Sequence, residues 1–208
     1  MSTVSWYEER VLPVCIDLVC GLRQMSKQRA RVVPRASGVV LEVGMGSGLN
    51  LPWYDPARVS RVFGLEPSEG MRQKARPRVA ASGLDVEFID LPGEEIPLGD
   101  ASVDTVLVTY TLCTIPDVAR ALRGMRRVLR PGGRLLYCEH GLAPDPGVRR
   151  WQERLNGAWS RVAGGCSMTR DIPALISAAG FEIEDDQRRY IAGPRILSYT
   201  FWGSARPA

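Results

Sequence analysis

Residues Val39 to Val43 form an aliphatic run interrupted by one acid, Glu42, and glycines follow at Gly44, Gly46 and Gly48. A strand buried on both faces needs apolar side chains on both, and parallel sheets are where such strands occur. The acid stands near the carboxyl end of this strand, where the ligands of open α/β sheets gather. Glycines at that point let the backbone take positive φ and come close to a ligand. Leu49 and the residues beside it predict a short helix that Asn50-Leu51-Pro52 stops.

Spacing narrows the ligand. A dinucleotide fingerprint is G-x-G-x-x-G/A. Counted from Gly44, its third small residue would stand at position 49, which is Leu49. The observed G-x-G-x-G after an acid suits an adenosine carrying a short amino-acid tail better than a pyrophosphate. Glu66 comes 22 residues after Gly44 and ends a second strand, Val62-Phe63-Gly64-Leu65. An acid in that place can accept from both hydroxyls of a ribose.

The strings LEVGMGSG, GLEPSEGM and LRPGGRLLY together resemble the class I S-adenosylmethionine-dependent methyltransferases, over nearly the whole chain from about Trp6. The resemblance implies a Rossmann-like, seven-stranded, mostly parallel sheet with helices on both faces. A C-terminal antiparallel hairpin closes it, in a three-layer α/β/α sandwich. It also implies S-adenosyl-L-methionine as cofactor and S-adenosyl-L-homocysteine as product. The cofactor contacts it implies are Glu42, Gly44, Met45, Gly46, Asn50, Glu66, Pro67, Met71, Thr109, Tyr110 and Cys113. Many relatives carry an aspartate two residues before the equivalent of Glu94, and Pro92 occupies that place here. Adenine is therefore expected on the backbone around Gly93 and Glu94, with the Glu94 side chain as an additional contact.

The finer strings LCTIPD, CEHG and GGC-x-x-TR, with a pair of tryptophans, resemble the small thiol S-methyltransferases of the methyltransferase-like group. The cofactor half also resembles quinone and phospholipid methyltransferases. His140, the single histidine of the chain, follows the fifth strand where substrate is expected in this fold. It is the candidate catalytic residue, and a structural role is its alternative. Tyr7, Trp151, Cys166 and Arg170 are the candidate substrate contacts. Asn/Asp-Pro-Pro-Tyr, which marks enzymes methylating nucleic-acid amino groups, is absent after the fourth strand, so no nucleic-acid substrate is expected.

Length and charge agree with these expectations. A chain of 208 residues predicts one domain. It divides into an N-terminal helix and linker over the cofactor mouth (1–36), a cofactor half (37–140) and a substrate-side segment with the closing hairpin (141–208). A net charge of +4 is too mild for the basic stripe of a nucleic-acid binder. The five cysteines are odd in number and contain no C-x-x-C, so neither a disulfide framework nor a metal site is expected. The apolar run Val11 to Leu22 holds Pro13 and Asp17 and is too short to span a bilayer. With no hydrophobic anchor or signal peptide heading the sequence, a cytoplasmic protein is expected, a monomer or weak dimer acting on a small molecule with little membrane contact.

Along the rest of the chain, a helix over about 6–24 is predicted from Val11, Val14, Cys15, Leu18 and Leu22, and a polar linker over 26–36. Ser68 caps a helix running toward Ala81, in which Pro77 predicts a kink. Leu84 to Ile89 and Thr105 to Thr109 read as strands, and Asp117 caps a further helix. Arg130-Pro131-Gly132-Gly133 reads as a turn into the strand Arg134 to Cys138. The segment 151–170 reads as a lid, Thr169 or Asp171 as a helix cap, and Phe181 to Tyr190 and Ile196 to Ser204 as the closing hairpin. Two competing functions are carried forward: a quinone or phospholipid methyltransferase at a membrane surface, and a non-catalytic cofactor-binding module. A nicotinamide oxidoreductase is disfavoured by Leu49.

Overall fold

The computed structural model describes residues 12–208. Seven strands form one sheet in the order β3-β2-β1-β4-β5-β7-β6. They are β1 (Gly38–Val43), β2 (Val59–Leu65), β3 (Val86–Ile89), β4 (Val103–Thr109), β5 (Leu129–His140), β6 (Phe181–Tyr190) and β7 (Tyr199–Pro207). β1 pairs in parallel with β2 and β4, and β4 with β5, while β7 runs antiparallel to both β5 and β6.

The period-2 alternation of the central strands splits the core into two layers. Leu41, Val43, Val106, Val108 and Leu135 share one layer with Leu122, Met125, Ile172 and Ile176. Those last four come from α4 (Val118–Val128) and α6 (Ile172–Ala178). Val40, Leu107, Leu136 and Cys138 share the other with Val32 and Val79, from α2 (Arg23–Val32) and α3 (Glu69–Ser82). Both faces of the sheet are covered, which is why Val39–Leu41 in β1 and Val106–Val108 in β4 are consecutive apolar residues rather than alternating ones.

Sequence and structure differ at several joints, and Arg130–Gly133, read as a turn into a strand at Arg134, lies inside β5, which starts at Leu129. The N-terminal helix is two: α1 (Leu12–Cys20) ends at Gly21, and α2 starts after Leu22, whose ψ of 145° leaves the helical region. Residues 26–36, read as a linker, are instead α2 and a 3₁₀ turn over Val33–Arg35. No α-helix follows the glycine loop; turns lead to a 3₁₀ segment, Leu51–Trp53. Pro77 lies inside α3, which continues to Ser82. Residues 151–162 of the segment read as a lid belong to a helix, α5 (Pro146–Val162), with Pro146 at its first position, where its missing N–H costs nothing. The last helix, α7 (Arg195–Ser198), is a single turn leading into β7. Trp6 and Tyr7, the latter an expected substrate contact, lie outside the described residues.

The expected caps are in place. The Ser68 side chain accepts from Met71 N–H, Asp117 from Arg120 N–H, and Asp171 from Ala174 N–H. Among the described residues no helix is long and apolar enough to cross a membrane.

Candidate active site

The loop after β1 turns back over the end of β2. Gly44 and Met45 N–H both donate to Leu65 O, at 2.9 and 3.1 Å. Gly44 has φ +70°, and a Cβ there would stand 2.2 Å from the Thr111 side chain. The turn therefore demands glycine on both conformational and steric grounds. The carboxylate of Glu66 then fixes the loop: Oε2 accepts from Gly46 N–H and Oε1 from Ser68 N–H, both at 2.9 Å. Burial pushes the Glu66 carboxyl up, and these two donors hold it down only in part.

A cavity of about 560 Å³ opens above this loop. It brings together Gly44, Met45, Gly46, Asn50, Glu66 and Met71 from the first two strand ends. It also takes in Thr109, Tyr110 and Cys113 beyond β4, and His140 and Cys166 from the other side. Eleven of the candidate residues thus line one space, although they come from loops far apart in the chain.

Others do not line it. Glu42 lies behind the wall: Oε1 accepts from Asn50 Nδ2 at 2.8 Å and Oε2 from the Tyr54 hydroxyl at 2.7 Å. It acts on a ligand only through Asn50, whose Nδ2 also reaches Thr109 Oγ1 at 2.9 Å. Glu94 accepts from Asp117 N–H ahead of α4, at 3.1 Å. Gly93 and Pro67 are also absent from the cavity lining. Trp151 is 55% exposed and sits in a separate surface depression beside Arg195. The tryptophan of α5 that does line the cavity is Trp159, two turns further on. Arg170 turns away to donate to Leu112 O and stitches two loops together.

Two further groups stand at this site. Residues of α1 and α2, including Ile16, Cys20 and Arg29, form a cover over the cavity. Asp17 on α1 accepts from Ser47 Oγ and, at 3.0 Å, from Arg78 of α3, which pins this cover to the glycine loop. Arg29 is buried. It donates to Cys20 O at 2.6 Å, lies 5.1 Å from the Tyr110 ring centroid, and keeps Nε without a partner. The other missed residue is Glu139. Its Oε1 accepts from Thr111 and Leu112 N–H, at 2.8 and 3.1 Å, so it holds the loop after β4 against the end of β5. The signal for it was the one that marked Glu42, an acid closing an apolar strand.

At the far end of the cavity His140 Nε2 lies 3.1 Å from Cys166 Sγ. The Cys113 sulfur lies within 4.8 Å of the same sulfur. Cys113, ahead of the opposing effect of burial and the help of His140, draws the Cys166 thiol far below its ordinary range. The same contact pushes Cys113 well up. Burial works to lower His140, but Cys166 raises it. The expectation of no metal rested on the absence of C-x-x-C. The fold nevertheless gathers Cys113, His140 and Cys166 with their donor atoms all within 4.8 Å of one another.

Glu42 gives a test that needs no ligand. Burial pushes its carboxyl from 4.5 up to about 7, against the Tyr54 and Asn50 donors. An acid with a higher pKa folded than unfolded gives stability that is complete below its unfolded value and lost as pH rises through the folded one. Between pH 5 and 8 the apoprotein should therefore lose on the order of 2 kcal/mol more stability than Glu42→Gln. Urea denaturation of both proteins at the two pH values checks this, and parallel slopes would mean that Glu42 is ionised throughout.

Comparison with known proteins fits this geometry. Residues 41–137 match the family described as "Methyltransferase domain". The chain is 36% identical over 142 residues to thiol S-methyltransferase TMT1B of Homo sapiens, covering 65% of this chain and 57% of that protein. It is 35% identical over 123 residues to a phosphatidylethanolamine N-methyltransferase of Cereibacter sphaeroides, covering 58% and 59%. The chain thus spans less than two-thirds of the length of these curated relatives. A solved structure from Thermotoga maritima, described as a SAM-dependent methyltransferase and possible histamine N-methyltransferase, superposes with a TM-score of 0.66. It shares 22% identity and covers 97% of this chain and 98% of its own. With the strand order, the glycine loop and the acid at the end of β2 already placed, these matches identify residues 41–137 as a methyltransferase domain.

Proposed function

We propose that the protein transfers the methyl group of S-adenosylmethionine to a small, fairly apolar acceptor, and that this acceptor is a thiol. The observation that carries the reading is the single cavity that runs from Glu66 and the glycine loop to His140 and Cys166. Its volume of about 560 Å³ lies within the usual range of ligand pockets.

The residues present fit the cofactor. Glu66 retains lone pairs for ribose hydroxyls beyond those used by Gly46 and Ser68. Asn50 Oδ1 is buried without a partner on the cavity wall, an acceptor suited to the ammonium of the amino-acid tail. Arg29 is a buried guanidinium suited to the carboxylate of that tail. The Met45 and Met71 side chains supply soft apolar walls.

The cofactor supplies a methyl group on a sulfonium, ready for in-line displacement. The chain has to hold donor and acceptor in line and exclude water. The α1–α2 cover and Trp159 close the space over Thr109 to Cys113. His140 and Cys166 stand where the acceptor enters. A thiol needs only modest help to ionise, with an ordinary pKa near 8.5. That suits a site with one histidine. The thiol S-methyltransferases among the relatives support the same acceptor class.

One observation favours a second reading, a lipidic acceptor taken from a membrane surface. Leu18 and Val19 on α1 and Val162 on α5 are all more than half exposed, and Val19 and Val162 line the cavity. A panel of a small aliphatic thiol, a phenol, a quinol and a phospholipid in vesicles separates the readings. Methylation of the thiol in preference to the rest is expected. Transfer to the quinol or phospholipid with none to the thiol would replace the first reading by the second, and cofactor binding without transfer to any of them would withdraw both.

A further inference from the structure

We propose that Cys113, His140 and Cys166 form a zinc site, and that its open position receives the acceptor thiolate. The three donor atoms lie within 4.8 Å of one another, and His140 Nε2 stands 3.1 Å from Cys166 Sγ. Tetrahedral zinc has Zn–S of about 2.3 Å and Zn–N of about 2.0–2.1 Å, so its donors lie roughly 3.5–3.8 Å apart. Shifts of an ångström or less bring this set to that geometry.

Backbone hydrogen bonds hold the donors together without any ion. Ser167 N–H donates to Cys113 O at 2.9 Å, joining the two cysteine loops. Leu142 N–H donates to Arg170 O at 2.9 Å, joining the end of β5 to the second of them. Arg170 in turn donates to Leu112 O, and the Glu139 carboxylate accepts from Thr111 and Leu112 N–H beside His140. Three chain segments distant in sequence are thus tied into one rigid donor cluster, and preorganised ligands are what a metal site requires.

The donor types select the ion. Two thiols and an imidazole are soft and borderline ligands, which favour zinc over magnesium or calcium. Structural zinc sites carry four protein ligands, whereas sites that act on a substrate carry three and leave the fourth position open. This cluster offers three donors, and all three line the cavity that the acceptor must enter.

The second half of the proposal rests on the thiol reading above. An acceptor thiol entering the fourth position loses its proton to solvent and binds as a thiolate. Its sulfur electron pair forms the new S–CH₃ bond as the C–S bond to the sulfonium breaks, and that pair stays on the sulfur of the homocysteine product. The resulting thioether is a poorer zinc ligand than the thiolate and leaves.

The test measures metal directly. Protein incubated with a small excess of Zn²⁺ and dialysed against metal-free buffer should retain about one zinc per chain. Cys166→Ser should cut retention at least tenfold while still binding S-adenosylhomocysteine, and Cys113→Ser should cut retention to the same extent. If either variant fails to fold, Co²⁺ added to the unaltered protein decides instead, through the thiolate-to-cobalt absorption of a tetrahedral site. Zinc retention no greater than that of the variants, or no such absorption, would overturn the site. Full-rate thiol methylation by zinc-free protein would overturn its role while leaving the thiol reading intact. One zinc per chain with no transfer to any thiol would do the reverse, keeping the site and removing its assigned ligand.

Discussion

Replacing His140 by asparagine should lower kcat for thiol methylation by about 10²–10⁴-fold, the range seen when a positioned acid–base or ligand group is removed. The affinity for S-adenosylhomocysteine should stay within about twofold. The asymmetry follows from position. His140 ends β5 and meets Cys166 at 3.1 Å, whereas the glycine loop and Glu66 are built on β1 and β2, with β4 in between. Asparagine keeps a polar side chain of similar reach, so the loop ties around Arg170 and Glu139 can persist. Steady-state rates at saturating cofactor, with product affinity by calorimetry, separate the two quantities. An unchanged kcat would make His140 a structural residue, and a parallel fall in both would point to collapse of the loops.

Replacing Glu66 by alanine should do the opposite. Product affinity should fall by about 1.5–3 kcal/mol, the worth of hydrogen bonds to a charged group, which is roughly 10- to 150-fold. The cause is double. The ribose loses its acceptor, and the Gly46 and Ser68 N–H groups lose theirs, so the loop that must lie against the cofactor is no longer fixed. Glu66→Gln should lie between the two, because one oxygen remains for one of the backbone donors. Calorimetric affinities in the order wild type, glutamine, alanine are expected. An alanine variant that binds as well as wild type would show that the ribose sits elsewhere.

The sequence was most informative where one residue type has one structural use. The run Val39–Val43 followed by glycines could only be a buried strand and a tight turn, and β1 and Gly44 are where that pattern puts them. Caps at Ser68 and Asp117 were equally legible, because short polar side chains ahead of an apolar repeat have few other roles, while Thr169 and Asp171 competed for the third and Asp171 holds it. The α1–α2 break was hidden because apolar spacing runs on through Gly21 to Leu22. The departure is backbone geometry at Leu22, which leaves no mark in hydropathy.

The site was legible by half. Residues close to the glycine loop in sequence were found, because short spacings limit where they can go. Glu42 was placed on the strand that was expected, but its partners Asn50 and Tyr54 claim both oxygens. A hydrogen-bond pattern of that kind depends on three dimensions. Trp151 and Trp159 differ by about two helical turns, and without knowing that α5 exists the choice between them had no basis. Cys113 and Cys166 stand 53 residues apart, so a search for local cysteine spacing passes over them.

The place of β7 has a consequence for how the molecule is made. β7 follows every other strand in the chain yet lies inside the sheet, between β5 and β6. While the polypeptide emerges from the ribosome, β1 to β5 can pair and form the nucleotide half, but the outer edge of β5 stays open. That edge carries Leu136 and Cys138, which later face Ser204 and Trp202. An unpaired apolar strand edge is a template for intermolecular pairing. A nascent chain stalled before Tyr199 should therefore be aggregation-prone, and the histidine at the end of β5 should reach its final setting only in the last step of folding.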